Sequence, residues 1–319
     1  MLNTEHSNMS KGFALGGAVI IAGLLLELVV GHVHWELFAA PVNYVVLALL
    51  LALIGVIYIL GETSEIFRFL RTYNAAVPTL VYAVVLTIIM GCTRQQKDGH
   101  WIYDMLTFWP FVLIYLQMAI ILGLVVLNHC RKAIAILRDH SQLSTRRLLS
   151  TFNFQLSTTI NHLGLFIVLV AGTLGSADMQ RLKMITFLDE IEWRAMDEQH
   201  QTIELPVAIE LKRFIMEEYD DGSPRRFASD VRILTQTGKN FEATVEVNKP
   251  VSVDGYKIYQ YGYDEHAGPA SQFSILELVR DPWLPAVYTG IFMMLLGAAC
   301  MLFIRNKEQG TKNKDQRLK

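Results

Sequence analysis

Six apolar runs constrain this chain more than any motif in it. A helix needs about 20 apolar residues to cross the hydrocarbon core of a bilayer. The runs are Phe13 to Val30, Tyr44 to Leu60, Pro78 to Cys92, Leu106 to Leu127, Ile160 to Gly175 and Leu284 to Ile304. The third and fifth are short, and the fifth gains length from the amphipathic approach Phe152 to Thr159. The first is longer than the apolar core of a signal peptide, and no small-residue cleavage site follows it before His32-Val33-His34-Trp35, so it is expected to stay as a helix. Composition agrees, with 52% of 319 residues hydrophobic and 18% charged, against about a quarter charged in soluble domains. The lipid bilayer is the solvent for much of this molecule.

Several function classes drop out. A net charge of -2 supplies no basic field, so no nucleic acid partner is expected. Cys92, Cys130 and Cys300 are too few and too scattered for a disulfide framework, and no CxxC or CxxCH is present for thiol exchange or covalent haem attachment. The zinc-protease HExxH, the phosphate-binding P-loop and the nucleophile elbow are also missing from the sequence. No catalytic residue is assigned.

Lys and Arg in short loops accumulate on the cytoplasmic side. Arg68 and Arg71 follow the second run, Arg131, Lys132, Arg138, Arg146 and Arg147 follow the fourth, and Arg305, Lys307, Lys312, Lys314, Arg317 and Lys319 crowd the C-terminal tail. The loop from Gly31 to Asn43 has neither residue type, and that from Thr93 to Met105 has only Arg94 and Lys97. Both termini are therefore expected inside. The layout is a four-helix membrane region over 1–128, a basic cytoplasmic loop over 129–159, a helix over 160–175, an extracytoplasmic domain over 176–282, a last transmembrane helix over 283–304 and a basic tail over 305–319.

The segment 176–282 is too long for a loop without structure of its own. Phe241-Glu-Ala-Thr-Val-Glu-Val247 alternates apolar and polar residues, the period of a strand with one wet face. Val251-Ser-Val253, Asp254-Gly255 and Tyr256-Lys-Ile-Tyr259 read as a hairpin with a type I′ turn, because Asp-Gly accepts positive φ at both central positions. Ile203 to Leu211 and Phe273 to Leu278 are shorter candidates. The fold class is thus an α-helical integral membrane protein of six transmembrane helices, with an antiparallel β domain inserted before the last.

Asn161-His162-Leu-Gly164-Leu-Phe-Ile-Val-Leu-Val-Ala-Gly172 opens a series of motifs that continues through Phe227-Ala-Ser229-Asp-Val231, Val247-Asn248-Lys-Pro250, Gly255-Tyr-Lys-Ile-Tyr259-Gln260-Tyr261-Gly-Tyr263-Asp264 and Leu278-Val-Arg-Asp281-Pro282. In this order they resemble the ResB-type (CcsB) family of system II cytochrome c biogenesis proteins, over roughly the second half of the chain. That family is commonly described with fewer helices before the His-bearing one and a larger exterior domain, so this chain resembles a short or divergent member. The resemblance implies a multi-pass protein of the bacterial cytoplasmic (inner) membrane and a non-autonomous subunit of a cytochrome c synthase (haem lyase) complex. It implies haem b as a transient, transported substrate, bound within the helices and delivered outward to the CxxCH thiols of apocytochrome c. A CcsA-like WWD-domain membrane protein is implied as partner, because the tryptophan-rich signature of that partner is absent from this sequence. By the same resemblance, His162 matches the intramembrane histidine that ligates haem iron.

The residues support His162 independently. An ionisable side chain inside a membrane helix is costly and marks a functional candidate, and imidazole is a standard axial ligand of haem iron. Gly164 and Gly172 remove bulk from the same helix, for a macrocycle or for another helix. The alternative is a His162 that merely hydrogen-bonds a neighbouring helix. His162 is expected within about one turn of the inner boundary. His129, near the same boundary, either pairs with it or is an interfacial histidine, and a partner's histidine is the preferred second ligand.

The remaining features have structural readings beside functional ones. His32 and His34, with Trp35 and Trp101, fit an interfacial belt on the outer side, since i, i+2 spacing does not put two histidines on one helix face. His200 and His266 are expected to be exposed, and His6, His100 and His140 carry no constellation. Arg225 and Arg226 either meet haem propionates or form a solvated turn, and Glu217-Glu-Tyr-Asp-Asp221 reads as a solubilising edge. Tyr256, Tyr259, Tyr261 and Tyr263 suit a docking surface for an extended apocytochrome or a half-buried sheet face. Two rival functions stay open: a haem b-binding membrane anchor of a quinol-linked respiratory complex, and a non-catalytic membrane scaffold.

Overall fold

The computed structural model describes residues 2–96, 99, 101–138, 145–221 and 223–317. His100, His140, Lys97, Gly222 and Lys319 lie outside the described residues. The chain divides into two units, Met1–Ala177 with Trp283–Lys319, and Asp178–Pro282.

The first unit is helical. Its helices are α1 (Leu2–Val30), α2 (Val42–Leu60), α3 (Glu65–Phe69), α4 (Tyr73–Cys92), α5 (Trp109–Arg138), α6 (Thr145–Gly175) and α7 (Leu284–Arg317). All except α3 are long and apolar enough to cross a membrane. The protein is a multi-pass α-helical membrane protein with a β domain inserted before its last helix.

Three boundaries differ from the sequence reading. Pro78 is inside α4, not at its start. A proline deprives the carbonyl four residues back of its helical donor, and that carbonyl, of Asn74, lies against Gly12 of α1, where a side chain would collide with it. The basic stretch 129–159 is not a loop, because α5 continues to Arg138 and α6 begins at Thr145. It contains no Gly or Pro to stop a helix, so Arg131, Lys132 and Arg138 ride on a helix. The basic tail is likewise helical as far as Arg317.

Helices in lipid gain little from burying apolar surface against one another, and small residues that admit close approach take over. Gly16 of α1 accommodates the Tyr82 ring of α4. Between α6 and α7, a Cβ on Gly164 would lie 2.6 Å from the Gly290 carbonyl, and one on Gly290 would lie 2.6 Å from the Gly164 carbonyl. A cluster of Leu50, Ile54, Ile57, Leu124, Phe166, Val170 and Leu174 joins α2, α5 and α6. At one end of the bundle, Trp35 Nε1 donates to Leu106 O at 3.0 Å and Val33 N donates to Thr107 O at 2.9 Å, so the α1–α2 and α4–α5 connections meet there.

The second unit is one antiparallel sheet. Its strands are β1 (Gln180–Phe187), β2 (Ile191–Met196), β3 (Thr202–Glu218), β4 (Pro224–Thr235), β5 (Asn240–Glu246), β6 (Val251–Val253), β7 (Tyr256–Tyr263) and β8 (Phe273–Arg280), in the order β5-β4-β3-β2-β1-β8-β7-β6. Val245 of β5 and Val253 of β6, from the two ends of that order, share a single core with Leu182, Ile209, Ile233 and Leu276. A flat sheet would hold its ends apart, so this one is rolled around its apolar face. The expected hairpin is present, with Val253 opposite Tyr256 and positive φ at Asp254 (45°) and Gly255 (86°).

A closed polar ring is buried in this domain. Ser229 Oγ donates to Gln260 Oε1 (2.7 Å), Gln260 Nε2 donates to Ser274 Oγ (2.7 Å), and the two serine hydroxyls are 2.7 Å apart. With the Ser229 proton spent on Gln260, Ser274 donates to Ser229. Gln260 Nε2 also reaches Gly262 O at 2.9 Å. All three residues are buried, and buried polar groups are tolerated when they satisfy one another.

Candidate functional site

His162 is half-buried on α6. It lies seventeen residues along a continuous helix that takes in both the amphipathic approach and the apolar run. The ring is oriented from within the helix, with Nδ1 lying 2.8 Å from Thr158 O. A carbonyl only accepts, so Nδ1 carries the proton and the Nε2 lone pair is left over. This is the arrangement of a metal-binding imidazole, whose second nitrogen is held by a backbone carbonyl.

The structure brings His129 of α5 to this ring, with centroids 5.1 Å apart and planes inclined by 31°. Gln155, two helical turns before His162, donates its Nε2 to His129 Nδ1 and more weakly to His129 O at 3.4 Å. His129 therefore accepts at Nδ1 and holds its proton on Nε2, the opposite tautomer to His162. Neither Nε2 has a hydrogen-bond partner among the described residues. Two imidazoles on opposite sides of one iron are separated by two bonds of about 2 Å plus the distance from each nitrogen to its ring centre, which together exceed the spacing seen here. As placed, the pair offers one open ring nitrogen at His162 and an N–H donor beside it.

Other candidates resolve structurally. Gly164 makes room for α7, not for a macrocycle, while Gly172 is exposed with no atom within 4 Å of where its side chain would begin. His32 is not a wet-tipped belt residue. Its Nδ1 lies 2.6 Å from Glu27 Oε1, and the buried Glu27 accepts at its other oxygen from Trp109 N (3.2 Å), the first amide of α5. A carboxylate there complements the positive end of the α5 dipole. His34, His200 and His266 are exposed.

Arg226 is not in a turn. It lies in β4 between Glu217 (2.9 Å) and Glu246 (2.8 Å), which raise its pKa further, and its guanidinium beside Glu246 holds that carboxyl below the ordinary range. Glu217 and Glu218 of the acidic run belong to β3. The tyrosines do not form one surface. Tyr256 is in the core, Tyr263 stacks with Phe214 at 5.1 Å, and Tyr261 is exposed with its hydroxyl 2.8 Å from Lys183 Nζ.

Sequence reasoning missed Gln155, Thr158 and Glu27. The signals were present: Gln155 and Thr158 share a helix face with His162 by their seven- and four-residue spacing, and an acid inside the first apolar run is itself a flag. Among the described residues no group of three or more His, Cys, Asp or Glu is placed to hold a metal ion.

Residues 154–271 match the model of the ResB-like family. The chain is 30% identical over 142 residues to the cytochrome c biogenesis protein CcsB of Prochlorococcus marinus, which takes in 42% of this chain and 32% of that protein. It is 32% identical over 99 residues to protein NrfI of Wolinella succinogenes, 30% of this chain and 10% of that one. The matches thus cover about a third and a tenth of those relatives. The solved cytochrome c haem lyase CcmF aligns over 83% of this chain and 46% of its own at 13% identity, with a TM-score of 0.37, a likeness too loose to argue from.

Proposed function

Over residues 154–271 this chain is ResB-like, and from that premise we propose that it is the ResB-like subunit of a system II cytochrome c maturation complex. In this reading it binds haem b in the membrane and helps deliver it outward to apocytochrome c, beside a CcsA-like partner in a bacterial cytoplasmic membrane. The observation that carries the reading is that the matched segment contains His162, whose Nδ1 is committed to Thr158 O and whose Nε2 is open. When bound, haem supplies the iron for ligation and the vinyl groups to which cysteine thiols add. This chain's own residues do the holding: Thr158 fixes the His162 ring, Gln155 fixes His129, and the apolar helices exclude water.

His162→Ala tests this. Membranes carrying the protein and its partner should show a b-type spectrum that is lost in the variant, together with covalent cytochrome c. Retention of both would overturn the role of His162. The rival reading, the quinol-linked anchor, would need both histidines as ligands and hence wider ring spacing than the 5.1 Å seen here. Quinol-reducible haem in the protein purified without any partner, lost in both His129→Ala and His162→Ala, would select it.

A further inference from the structure

The C-terminal ends of α2 and α5 enclose a site that neither histidine uses. Leu127, Cys130, Arg131, Ile134, Ala135 and Arg138 line a cleft of about 730 Å³, closed on one side by Tyr58 of α2. Their spacing of three and four residues makes them one face of α5. Its wall is apolar and its rim carries two guanidiniums seven residues apart, about 10 Å along the axis.

The rim is braced from α2. Glu62, just past the end of that helix, accepts from Arg131 at 2.7 Å and Arg71 at 3.1 Å, and the Arg71 guanidinium lies over the Tyr58 ring at 4.2 Å. The Arg71 side chain is only 9% exposed, and its Nε and Nη2 have no hydrogen-bond partner among the described residues. Among the described residues Glu62 is the one carboxylate paired with Arg71 and Arg131, and none pairs with Arg138. Net positive charge is left where the membrane-spanning part of α2 ends, directly beside an apolar wall.

We infer that this cleft binds an anionic phospholipid, its phosphate between Arg131 and Arg138 and an acyl chain along Leu127, Ile134 and Tyr58. Charge complementarity and position select this occupant. Arginine at a hydrocarbon boundary is neutralised best by a headgroup phosphate that keeps its own chains in the apolar layer. The inference does not depend on the haem reading.

The full chain is reconstituted in nanodiscs of phosphatidylcholine with a minor share of phosphatidylglycerol, released into detergent and examined by native mass spectrometry. Wild type should retain phosphatidylglycerol in excess of its share. Arg138→Gln, which leaves the Glu62 brace intact, should weaken that retention about fivefold, and Arg131→Gln with Arg138→Gln should weaken it by the product of two such steps. Ala135→Trp, which fills the cleft and keeps both charges, should also lower it. Equal retention of the two lipids, or undiminished phosphatidylglycerol in Arg138→Gln and Ala135→Trp, overturns the inference. So does loss of haem with lipid unchanged, which would assign the arginines to propionates.

Discussion

Two groups of polar side chains, one in each unit, are finished differently. In the β domain, Ser229, Gln260 and Ser274 close a ring in which every donor meets an acceptor. In the helical unit, Thr158 and Gln155 each satisfy one nitrogen of a histidine, and among the described residues the second nitrogen of both rings is left open. A closed network specifies a fold, whereas an open one keeps capacity for something that is not part of the chain.

Substitutions that break this contrast should separate stability from binding. Gln260→Leu takes one partner from each of two buried hydroxyls and should cost about 3 kcal/mol of β-domain stability, read from hydrogen exchange at the Ser229 and Ser274 amides. An unchanged exchange rate would show that the ring is not a structural unit. Gly164→Val drives a side chain into the Gly290 backbone and should cost about 2 kcal/mol, seen as a lower midpoint of thermal unfolding in detergent. His162→Ala should cost less than about 1 kcal/mol by the same measurement, because the ring's one hydrogen bond returns to its own helix. A large loss there would make the histidine a packing residue. The smallest effect is the acid sensitivity of Glu246. Its folded pKa lies below the ordinary value, so its contribution is present above about pH 4.3 and is lost as pH falls through the folded value. Arg226→Gln should flatten that acid-side decline in a pH series of melting curves.

The sequence made some of this legible and hid the rest for physical reasons. Hydropathy located six helices because lipid demands long apolar runs, and Asp254-Gly255 placed a hairpin because few other pairs accept two positive φ values. It did not reveal β1, β2 or β4. In β4, Arg225, Arg226, Asp230 and Arg232 blur the alternation of Ala228, Val231 and Ile233, and their cross-strand partners Glu217, Glu246 and Arg213 are distant in the chain. The Tyr259-Gln260 and Phe227-Ala-Ser229 motifs carried the family resemblance, yet residue types alone did not show that Gln260 and Ser229 bond to each other. His162 was legible as an ionisable residue in an apolar run. Its neighbour His129 was not assigned to it, because pairing across two helices is set by packing.

The inserted domain enters by β1 and leaves by β8, and these strands are direct neighbours, with Gln180 opposite Arg280. On the helical side, Gly175 at the end of α6 packs against Trp283, just before α7. Both seams are therefore as narrow as a hairpin, so the two halves of the chain can lengthen, shrink or exchange their neighbour over evolution without reopening the other's framework.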